Sequence, residues 1–273
     1  MEVEIKMGFK YQRLLGYFLG FILFYAPFAL FQKIIFFAFT GKWQQLTIHS
    51  LCFRIQTEHL LDGKLLLMSL PFIACIVILL IVTLFFGPVF CGRLCPAGAF
   101  TEYLSKVIPS RLQISWRTYT EIVPFRYGML AGFVILPFFD SLLACAYCNF
   151  FLFDLFVNYF VFGYFISLSS SMILTLFLWA GLFGIFTKGG RGFCNFLCPV
   201  GAVQNLLYSF SSRLPFVYRL IIDRQKCIGC PMEAMVIEER KAVNCVHNCI
   251  LCGVCISKCP EKAIRYGRKD DEE

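Results

Sequence analysis

Four cysteines near the C-terminus follow a spacing that is typical of iron–sulfur ligands. Residues 249–260 read CILCGVCISKCP, the run C-x2-C-x2-C-x3-C-P. Three cysteines in so tight a loop can each bind one iron of a cubane, and the fourth serves another cluster. The run therefore predicts a 4Fe-4S cluster held by Cys249, Cys252 and Cys255, with Cys259 directed elsewhere.

The fourth ligand of this cluster must come from outside the run. The tail resembles the two-cluster ferredoxins, and Cys230, followed by Pro231 and 19 residues before Cys249, matches their usual gap. The resemblance implies Cys230 as the fourth ligand. Cys227, Cys245 and Cys259 then remain for a second cluster. The tail has seven cysteines where two cubanes need eight, so these three are alternatively a relic with buried thiols. Another register groups Cys227, Cys230, Cys245 and Cys259.

A second cysteine motif occurs twice. The first phrase, residues 90–100, reads FCGRLCPAGAF, and the second phrase, residues 193–203, reads FCNFLCPVGAV; they share seven of eleven positions. Cysteines four apart on a helical turn lie on one face. If the halves pack with pseudo-twofold symmetry, four thiols converge on one cluster or metal ion, from Cys91, Cys95, Cys194 and Cys198. The alternatives are a redox-active dithiol and a structural turn with small buried thiols.

Three further groups have weaker signals. Cys145 and Cys148 form a C-x-x-C pair that is a disulfide, a dithiol or half of a metal site, or is purely structural. His49 and His59 suit the proton acceptor of a quinol site, although solvated loop histidines are the simpler interpretation. The aromatic stretch 150–165 either walls a quinone pocket or forms an interfacial belt.

The composition indicates a lipid environment for these sites. Apolar residues make up 59% of the 273 residues and charged residues only 15%, against about 25% in soluble domains, and the mean hydropathy is +0.72. The net charge of +8 favours contact with anionic lipid and not nucleic acid, because no basic stripe laced with aromatics accompanies it. Thiolate clusters need a reducing side, so we expect them to face the cytoplasm.

The apolar segments predict the fold class. Residues 14–32, 65–92, 124–143 and 169–186 are expected to cross the membrane, although the uncharged stretch 155–187 would also allow five spans. Only four spans place most Lys and Arg residues on one side. We therefore expect an α-helical integral membrane protein with four transmembrane helices in two repeated hairpins and a C-terminal ferredoxin-like α+β iron–sulfur domain. It would be a multi-pass protein of a prokaryotic cytoplasmic membrane with both termini in the cytoplasm.

The duplicated phrase also divides the chain. We predict a first transmembrane hairpin with its cysteine loop at residues 1–105 and a second at 106–207. Residues 208–273, where the sequence turns polar, form the predicted cytoplasmic ferredoxin-like domain.

The two phrases, the four predicted spans and the tail run together resemble the NapH-type membrane ferredoxins and the membrane core of NosR-type proteins. The resemblance implies an electron-transfer protein between the quinone pool and a partner redox protein, such as a cytochrome or iron–sulfur subunit of a larger oxidoreductase. Two features depart from the pattern of these families. The first ferredoxin run of the tail is degenerate, and the sequence shows no flavin-bearing domain. The alternative is a redox sensor or metal-centre maturation factor that uses the same clusters without bulk electron flux. A zinc-stabilised scaffold is a third interpretation.

Overall fold

The computed structural model describes most of the chain. For residues 2–10, 58–61, 162, 171, 235–238 and 241–244 it describes the backbone alone. The described ranges are 2–25, 27–61, 69–116, 122–139, 148–163, 170–223, 235–238, 241–244, 246–259 and 263–268.

Of the two N-terminal helices, the first packs beside the first phrase. Helix α1 spans Glu2–Phe24 and α2 spans Leu30–Thr40. Gly16 and Gly20 lie one turn apart on α1, and each faces a main-chain oxygen of the first phrase, on Arg93 and Leu94. A side chain at either position would collide with those oxygens, so the two glycines allow α1 to approach the phrase closely.

The rest of the helical part contains further α-, π- and 3₁₀-helical segments. Its α-helices are α3 (Phe53–Leu61), α4 (Leu70–Phe86), α5 (Pro96–Ser105), α6 (Ile122–Ile135), α7 (Asn149–Phe162), α8 (Ser170–Leu176), α9 (Gly192–Phe196) and α10 (Pro199–Ser211). Phe90–Leu94 and Phe177–Ile185 are π-helical, and Ile48–Leu51, Ser110–Leu112 and Leu136–Phe138 are 3₁₀ turns.

The core of the helical part is aromatic. Trp179 is fully buried, and its ring stacks on Phe100 with the ring centroids 5.8 Å apart. Phe153 packs edge-on against the same indole. Cys95 and Cys198 belong to this buried cluster, so the thiols of both phrases lie at the edge of a water-excluding aromatic core.

The C-terminal part packs on the end of α4. Strand β1 (Arg219–Ile222) pairs antiparallel with β4 (Ile264–Gly267), and β2 (Met235–Glu238) with β3 (Lys241–Asn244). The short helix α11 (Val254–Lys258) lies between β3 and β4 in the chain. The Tyr218 ring stacks on Phe86 and Tyr266, and the Tyr266 hydroxyl donates to the Phe86 carbonyl at 2.7 Å.

The prediction of four transmembrane helices is wrong for this structure. Among the residues described above, no helix combines the length and the apolar character needed to cross a membrane. The predicted spans are interrupted at specific residues. The first is broken near Ala29, which has a φ of 44°, the second ends at Gly87 with a φ of 74°, and Pro137 lies in a 3₁₀ turn that ends the third. The fourth changes from α-helix to π-helix at Phe177.

Candidate iron–sulfur centre

The two phrases have the same backbone turn around their second cysteine. In each, the second cysteine donates its backbone N–H to the phenylalanine carbonyl five residues earlier, from Cys95 to Phe90 at 2.9 Å and from Cys198 to Phe193 at 3.1 Å. Both cysteines are extended residues directly before a proline that begins a helix. Proline suits that first helical position because its fixed φ matches the helix and no N–H is needed there. The repeated sequence therefore folds as a repeated turn.

The phrases cross each other. Gly98 of the first phrase lies against the second phrase, where a Cβ atom at position 98 would be 3.2 Å from the Cys194 sulfur. Gly201 occupies the equivalent place, and a Cβ there would be 3.8 Å from the Cys91 sulfur. All four thiols are buried, with at most 6% of each residue exposed. Because a glycine of each phrase lies against a cysteine of the other, the cysteines of both halves are brought into one site.

Backbone N–H groups point at two of the sulfurs. Ala97 and Gly98 direct theirs to the Cys95 thiol, and Gly201 directs its N–H to the Cys198 thiol. These donors belong to the first turns of α5 and α10, where helical N–H groups have no intrahelical acceptor. Such donors favour a negatively charged sulfur.

A buried arginine lies beside each of the two crossing glycines, Gly98 and Gly201. The Arg191 guanidinium fills the space beside Gly98 and donates to the Cys91 carbonyl at 3.0 Å. Arg126 fills the space beside Gly201 and donates to the carbonyls of His247 at 2.5 Å and Cys194 at 3.3 Å. Within the described part of the chain, no carboxylate lies within ion-pair distance of Arg126. An unpaired buried cation is costly, so its position beside the thiols favours an anion there.

Arg191 is held by a second buried network. Glu102 accepts hydrogen bonds from Arg191 Nε at 3.0 Å and from Arg13 Nη2 at 2.8 Å. Both arginines also donate to the Tyr17 hydroxyl, which donates to the Gly92 carbonyl at 2.7 Å. Although burial alone would raise the pKa of Glu102, the two arginines hold it below its ordinary value. The site is therefore surrounded by three buried arginines and one carboxylate.

The free thiols are poor nucleophiles. Burial, with the charge of nearby Cys194, raises the pKa of Cys95 to about 11, and the same two causes raise that of Cys198 to about 12. Burial also raises the pKa of Cys91. A redox-active dithiol needs a lowered pKa, so the geometry disfavours that interpretation. Iron removes the thiol proton when it binds, which makes ligation compatible with these surroundings.

The four thiols of the phrases fit a 4Fe-4S cluster better than a single metal ion. In the described ranges, no three Cys, His, Asp or Glu side chains are grouped closely enough to hold one metal ion. A cubane binds each thiolate to a different iron, so its ligands stand further apart than those of a single ion. Four buried thiols with N–H donors and surplus buried cations meet the needs of such an anionic cluster.

The tail run packs directly against the first phrase. Cys249, Cys252 and Cys255 are buried in a loop whose turns use positive φ angles at Leu251 and Gly253. A Cβ at Gly92 would lie 2.7 Å from the Cys252 nitrogen, so the loop backbone touches the phrase. Cys91 and Cys252 belong to one buried cluster with Ile250 and Val254. The two cysteine groups are therefore neighbours.

Comparison with known proteins agrees with this chemistry. Residues 68–115 and 171–216, one segment around each phrase, match the sequence profile of a 4Fe-4S binding domain. The ferredoxin-type protein NapH of Haemophilus influenzae is 25% identical over 217 residues, which are 74% of this chain and 70% of the relative. The chain is similar to NapH-type 4Fe-4S proteins.

Two uncharacterized proteins of Methanocaldococcus jannaschii are also similar to this NapH-like chain. They are 27% and 24% identical over 209 and 204 residues, which cover 71% and 70% of the chain and 78% and 68% of the relatives. No solved structure matches. The predicted resemblance to NapH-type proteins is confirmed, and so is the 4Fe-4S cofactor. The NapH-like chain therefore contains a 4Fe-4S binding domain.

Several predicted site residues lie in the tail or outside the described part of the chain. Cys227, Cys230, Cys245 and Cys145 lie outside the described residues, so the ligands assigned to them stay predictions. Cys259 is buried against Cys255, and its thiol accepts the Ala263 N–H at 3.4 Å. Cys148 is half-buried directly before α7 of the NapH-like chain, and the His59 side chain is not described. Among the described cysteines, Cys259 packs in the tail and not between the phrases.

Sequence reasoning missed the charged residues around the NapH-like centre. The sequence pattern does not single out Arg126 or Glu102 as part of a cysteine site. A signal was present, because Glu102 is the single acidic residue in the apolar stretch 65–120, and such charges are usually functional or paired. Asp154 was missed in the same way, although it is the sole charged residue between Asp140 and Lys188.

Proposed function

We propose that the four thiols of the two phrases hold one 4Fe-4S cluster and that the tail run holds another. Electrons would enter from quinol, pass from the first cluster to the second, and leave to a partner redox protein. The observation that carries the proposal is the crossing of the phrases, in which Gly98 and Gly201 each lie against the first thiol of the opposite phrase.

The surroundings of the four thiols support cluster binding over a purely structural turn. A structural turn needs neither N–H groups directed at sulfur nor a buried arginine at each crossing point. Arg126 and Arg191 offset the negative charge that four thiolates bring into a water-excluding core. Hydrogen bonds, charge and burial are also what set the potential of such a cluster.

The contact between Gly92 and Cys252 supports electron transfer between the two groups. Cys91 and Cys252 share one buried apolar cluster, so only packed protein separates the proposed clusters. Arg126 joins them as well, because it binds the Cys194 carbonyl and the His247 carbonyl, two residues before Cys249. When bound, the clusters supply one-electron chemistry, and the chain's part is to hold them close, buried and charge-compensated.

The exposed apolar surface supports a location against lipid. Side chains on three helices are largely solvent-exposed although apolar: Leu14, Leu15 and Phe18 on α1, Phe37 and Phe39 on α2, and Val77, Ile78 and Ile81 on α4. Soluble monomers rarely expose so many together. We therefore propose attachment to the cytoplasmic membrane, with the clusters on the reducing cytoplasmic side, where lipid-borne quinol is available.

Cluster analysis tests the assignment of ligands. Anaerobically purified protein should contain about eight irons and eight acid-labile sulfides per chain, as two cubanes require. A Cys91→Ser/Cys194→Ser double variant should lose about four of each. Cys75→Ser is the matched control, because Cys75 lies in α4 away from both groups, and its iron content should equal that of the wild type. Equal iron in all three proteins would refute the phrase cluster.

Anaerobic mixing with menadiol tests the quinol step. Bleaching of the visible cluster absorbance, with one quinone formed per two electrons taken up, is the expected result. Clusters that dithionite reduces but menadiol does not would instead favour a redox sensor or maturation factor. Fractionation of cells tests the location, because the proposal requires the protein in the membrane fraction after a salt wash.

A further inference from the structure

The helices that follow the two phrases differ in one buried charge. Position 102 in α5 and position 205 in α10 are equivalent, because each lies four residues after the crossing glycine of its phrase. The first position holds a glutamate and the second an asparagine. Their exposed fractions are 1% and 0%. The duplicated halves therefore place a carboxylate at one of two matching buried positions and a neutral amide at the other.

Each of these positions lies close to the arginine beside one crossing glycine. Glu102 accepts a hydrogen bond from Arg191 Nε at 3.0 Å. Asn205 Nδ2 and Arg126 Nη1 both donate to the His247 carbonyl at 2.5 Å, so these two nitrogens are at most 5.0 Å apart. Within the part of the chain that the structure describes, only the first of the two arginines is paired with a carboxylate.

The Arg126 cation faces the thiols of the phrases. Its Nη2 lies 2.7 Å from the point that a Cβ of Gly201 would occupy, and the Cys91 sulfur lies 3.8 Å from that point, so the two atoms are at most 6.5 Å apart. Arg126 is 1% exposed, and an arginine stays protonated in proteins. The four described groups that most favour its charged form are Cys91, Cys198, Tyr127 and Cys194. Thiolates bound to iron would therefore be the partners of this cation.

The amide at position 205 leaves two polar groups unsatisfied. In the described ranges, the buried Asn205 Oδ1 has no donor and the buried Arg126 Nε has no acceptor. Unmade hydrogen bonds and an unpaired buried cation both reduce stability. A carboxylate at this position would supply the arginine with a counter-ion, as Glu102 does in the other half. The neutral side chain is thus explained better by its effect on charge than by its effect on stability.

We propose that Asn205 raises the potential of the phrase cluster, the 4Fe-4S cluster at the four thiols, by leaving the buried charge of Arg126 without a counter-ion. This inference rests on the proposed function, and it names a residue that makes the cluster a stronger oxidant for quinol. Reduction adds a negative charge to the cluster, and an unpaired cation close by favours that charge. In the other half, the direct contact with Glu102 weakens the action of Arg191 on the thiols.

The electrons and protons of the quinol step balance. Menadiol loses two electrons and two protons when it becomes menadione. The two proposed clusters of one chain take up one electron each, and the protons go to the buffer. A higher potential of the phrase cluster favours the first transfer, because this cluster receives the electrons from quinol in the proposed function.

Asn205→Asp tests the proposal by placing a carboxylate of the same size close to Arg126. The phrase cluster should keep its iron, and its reduction equilibrium constant should fall about tenfold, which is ~59 mV toward negative potential for one electron. A redox titration followed by electron paramagnetic resonance measures the shift. The signal of the phrase cluster is the one that the Cys91→Ser/Cys194→Ser variant lacks. Ser209→Asp is the matched control, because it adds the same charge one turn further along α10 at an exposed hydroxyl, and its potential should stay close to that of the wild type.

Two further variants separate charge from position. Asn205→Leu removes the hydrogen bond to the His247 carbonyl without adding a charge, so the potential should stay near that of the wild type even if the tail is held less tightly. In an Arg126→Gln background, Asn205→Asp should shift the potential much less, because a buried carboxylate without a cation becomes protonated. If Asn205→Asp loses its cluster, Asn205→Glu reproduces the residue of the equivalent position 102 and is titrated instead.

Each outcome has one meaning. A negative shift with the carboxylate but not with leucine supports the role of Asn205. No shift with the carboxylate, or equal shifts with both side chains, would overturn it. Wild-type protein that dithionite reduces but menadiol does not would refute the quinol step, whereas the titration would still decide the role of Asn205.

Discussion

Gly92 in the first phrase and Cys252 in the tail run touch through their backbones. A Cβ at position 92 would lie 2.7 Å from the Cys252 nitrogen and 2.8 Å from its Cα, and it would collide with the Ile250 carbonyl oxygen. Since all these atoms are main-chain atoms, no side-chain rotation can relieve the overlap. The two cysteine groups can therefore pack this closely only because Gly92 has no side chain.

Replacement of Gly92 by alanine should loosen the tail. Overpacking of this kind costs about 1–3 kcal/mol, so the undocked population should rise about 5- to 150-fold. Trypsin should then cut between the helical part and the tail correspondingly faster. Gly132→Ala in α6 is the control, because a Cβ there meets nothing within 4 Å. Equal cleavage rates in the two variants would contradict the proposed docking.

The two crossing glycines should be equally sensitive. Gly98→Ala would displace Arg191 and the Cys194 thiol, and Gly201→Ala would displace Arg126 and approach the Cys91 thiol. We expect each variant to lose about four irons per chain, the content of one cubane. Gly181→Ala should retain its iron, because its nearest neighbour is a Phe177 ring carbon at 3.7 Å. Loss from one crossing variant alone would argue against a shared cluster.

Arg126 should raise the potential of the phrase cluster. Its cation favours the extra electron, so Arg126→Gln should retain iron but have a more negative midpoint potential, by about 60 mV if the charge is worth a tenfold change in equilibrium. Arg126→Lys should restore most of the difference because it keeps the charge. A redox titration followed by electron paramagnetic resonance measures both, with exposed Arg213→Gln as the control. An unchanged potential in Arg126→Gln would show that this charge does not act on the cluster.

Glu102 should be essential for stability. Its removal leaves Arg13 and Arg191 buried without their carboxylate, and breaking a buried ion pair typically costs about 3–5 kcal/mol. Glu102→Gln should therefore lower the thermal midpoint strongly. Lys106→Gln removes a half-exposed partner of the same carboxylate and should cost about 1 kcal/mol or less. Similar midpoints for the two variants would contradict this assignment.

The effect of Glu102 should depend on pH. Because the pKa of Glu102 is lowered in the folded protein, its stabilisation is fully present above the unfolded value of 4.5 and is lost as pH falls through the folded value. The difference in thermal midpoint between wild type and Glu102→Gln should thus be constant near neutral pH and shrink in acid. A difference that grows in acid would mean that the carboxylate is not stabilised by the arginines.

The sequence alone predicted much of the centre. The repeated C-x-x-x-C-P motif has the same turn in both copies because proline fixes the start of each following helix. The convergence of the four thiols on one cluster followed from assuming symmetry, and it stays a prediction. Sequence could not predict which atoms touch at the crossing, since Gly98 and Arg191 are 93 positions apart in the chain.

The transmembrane prediction failed for a local reason. Hydropathy averages over about twenty residues and does not register single breaks. Ala29, Gly87 and Pro137 each interrupt an apolar segment, and the first two do so through backbone angles that composition does not reveal. The buried salt-bridge network was also invisible, because Arg13, Glu102 and Arg191 come from three distant segments.

The packing of each phrase's glycine against the other phrase's cysteine has a consequence for biosynthesis. Neither half of the chain forms the whole site by itself, because the first cysteine of each phrase packs against a glycine of the other phrase. A ribosome that has made only the first 190 residues has therefore produced only two of the four phrase cysteines. If the phrases hold the proposed cluster, iron delivery must follow the closing of both halves, and the cluster would then join two stretches of chain that are synthesised at different times.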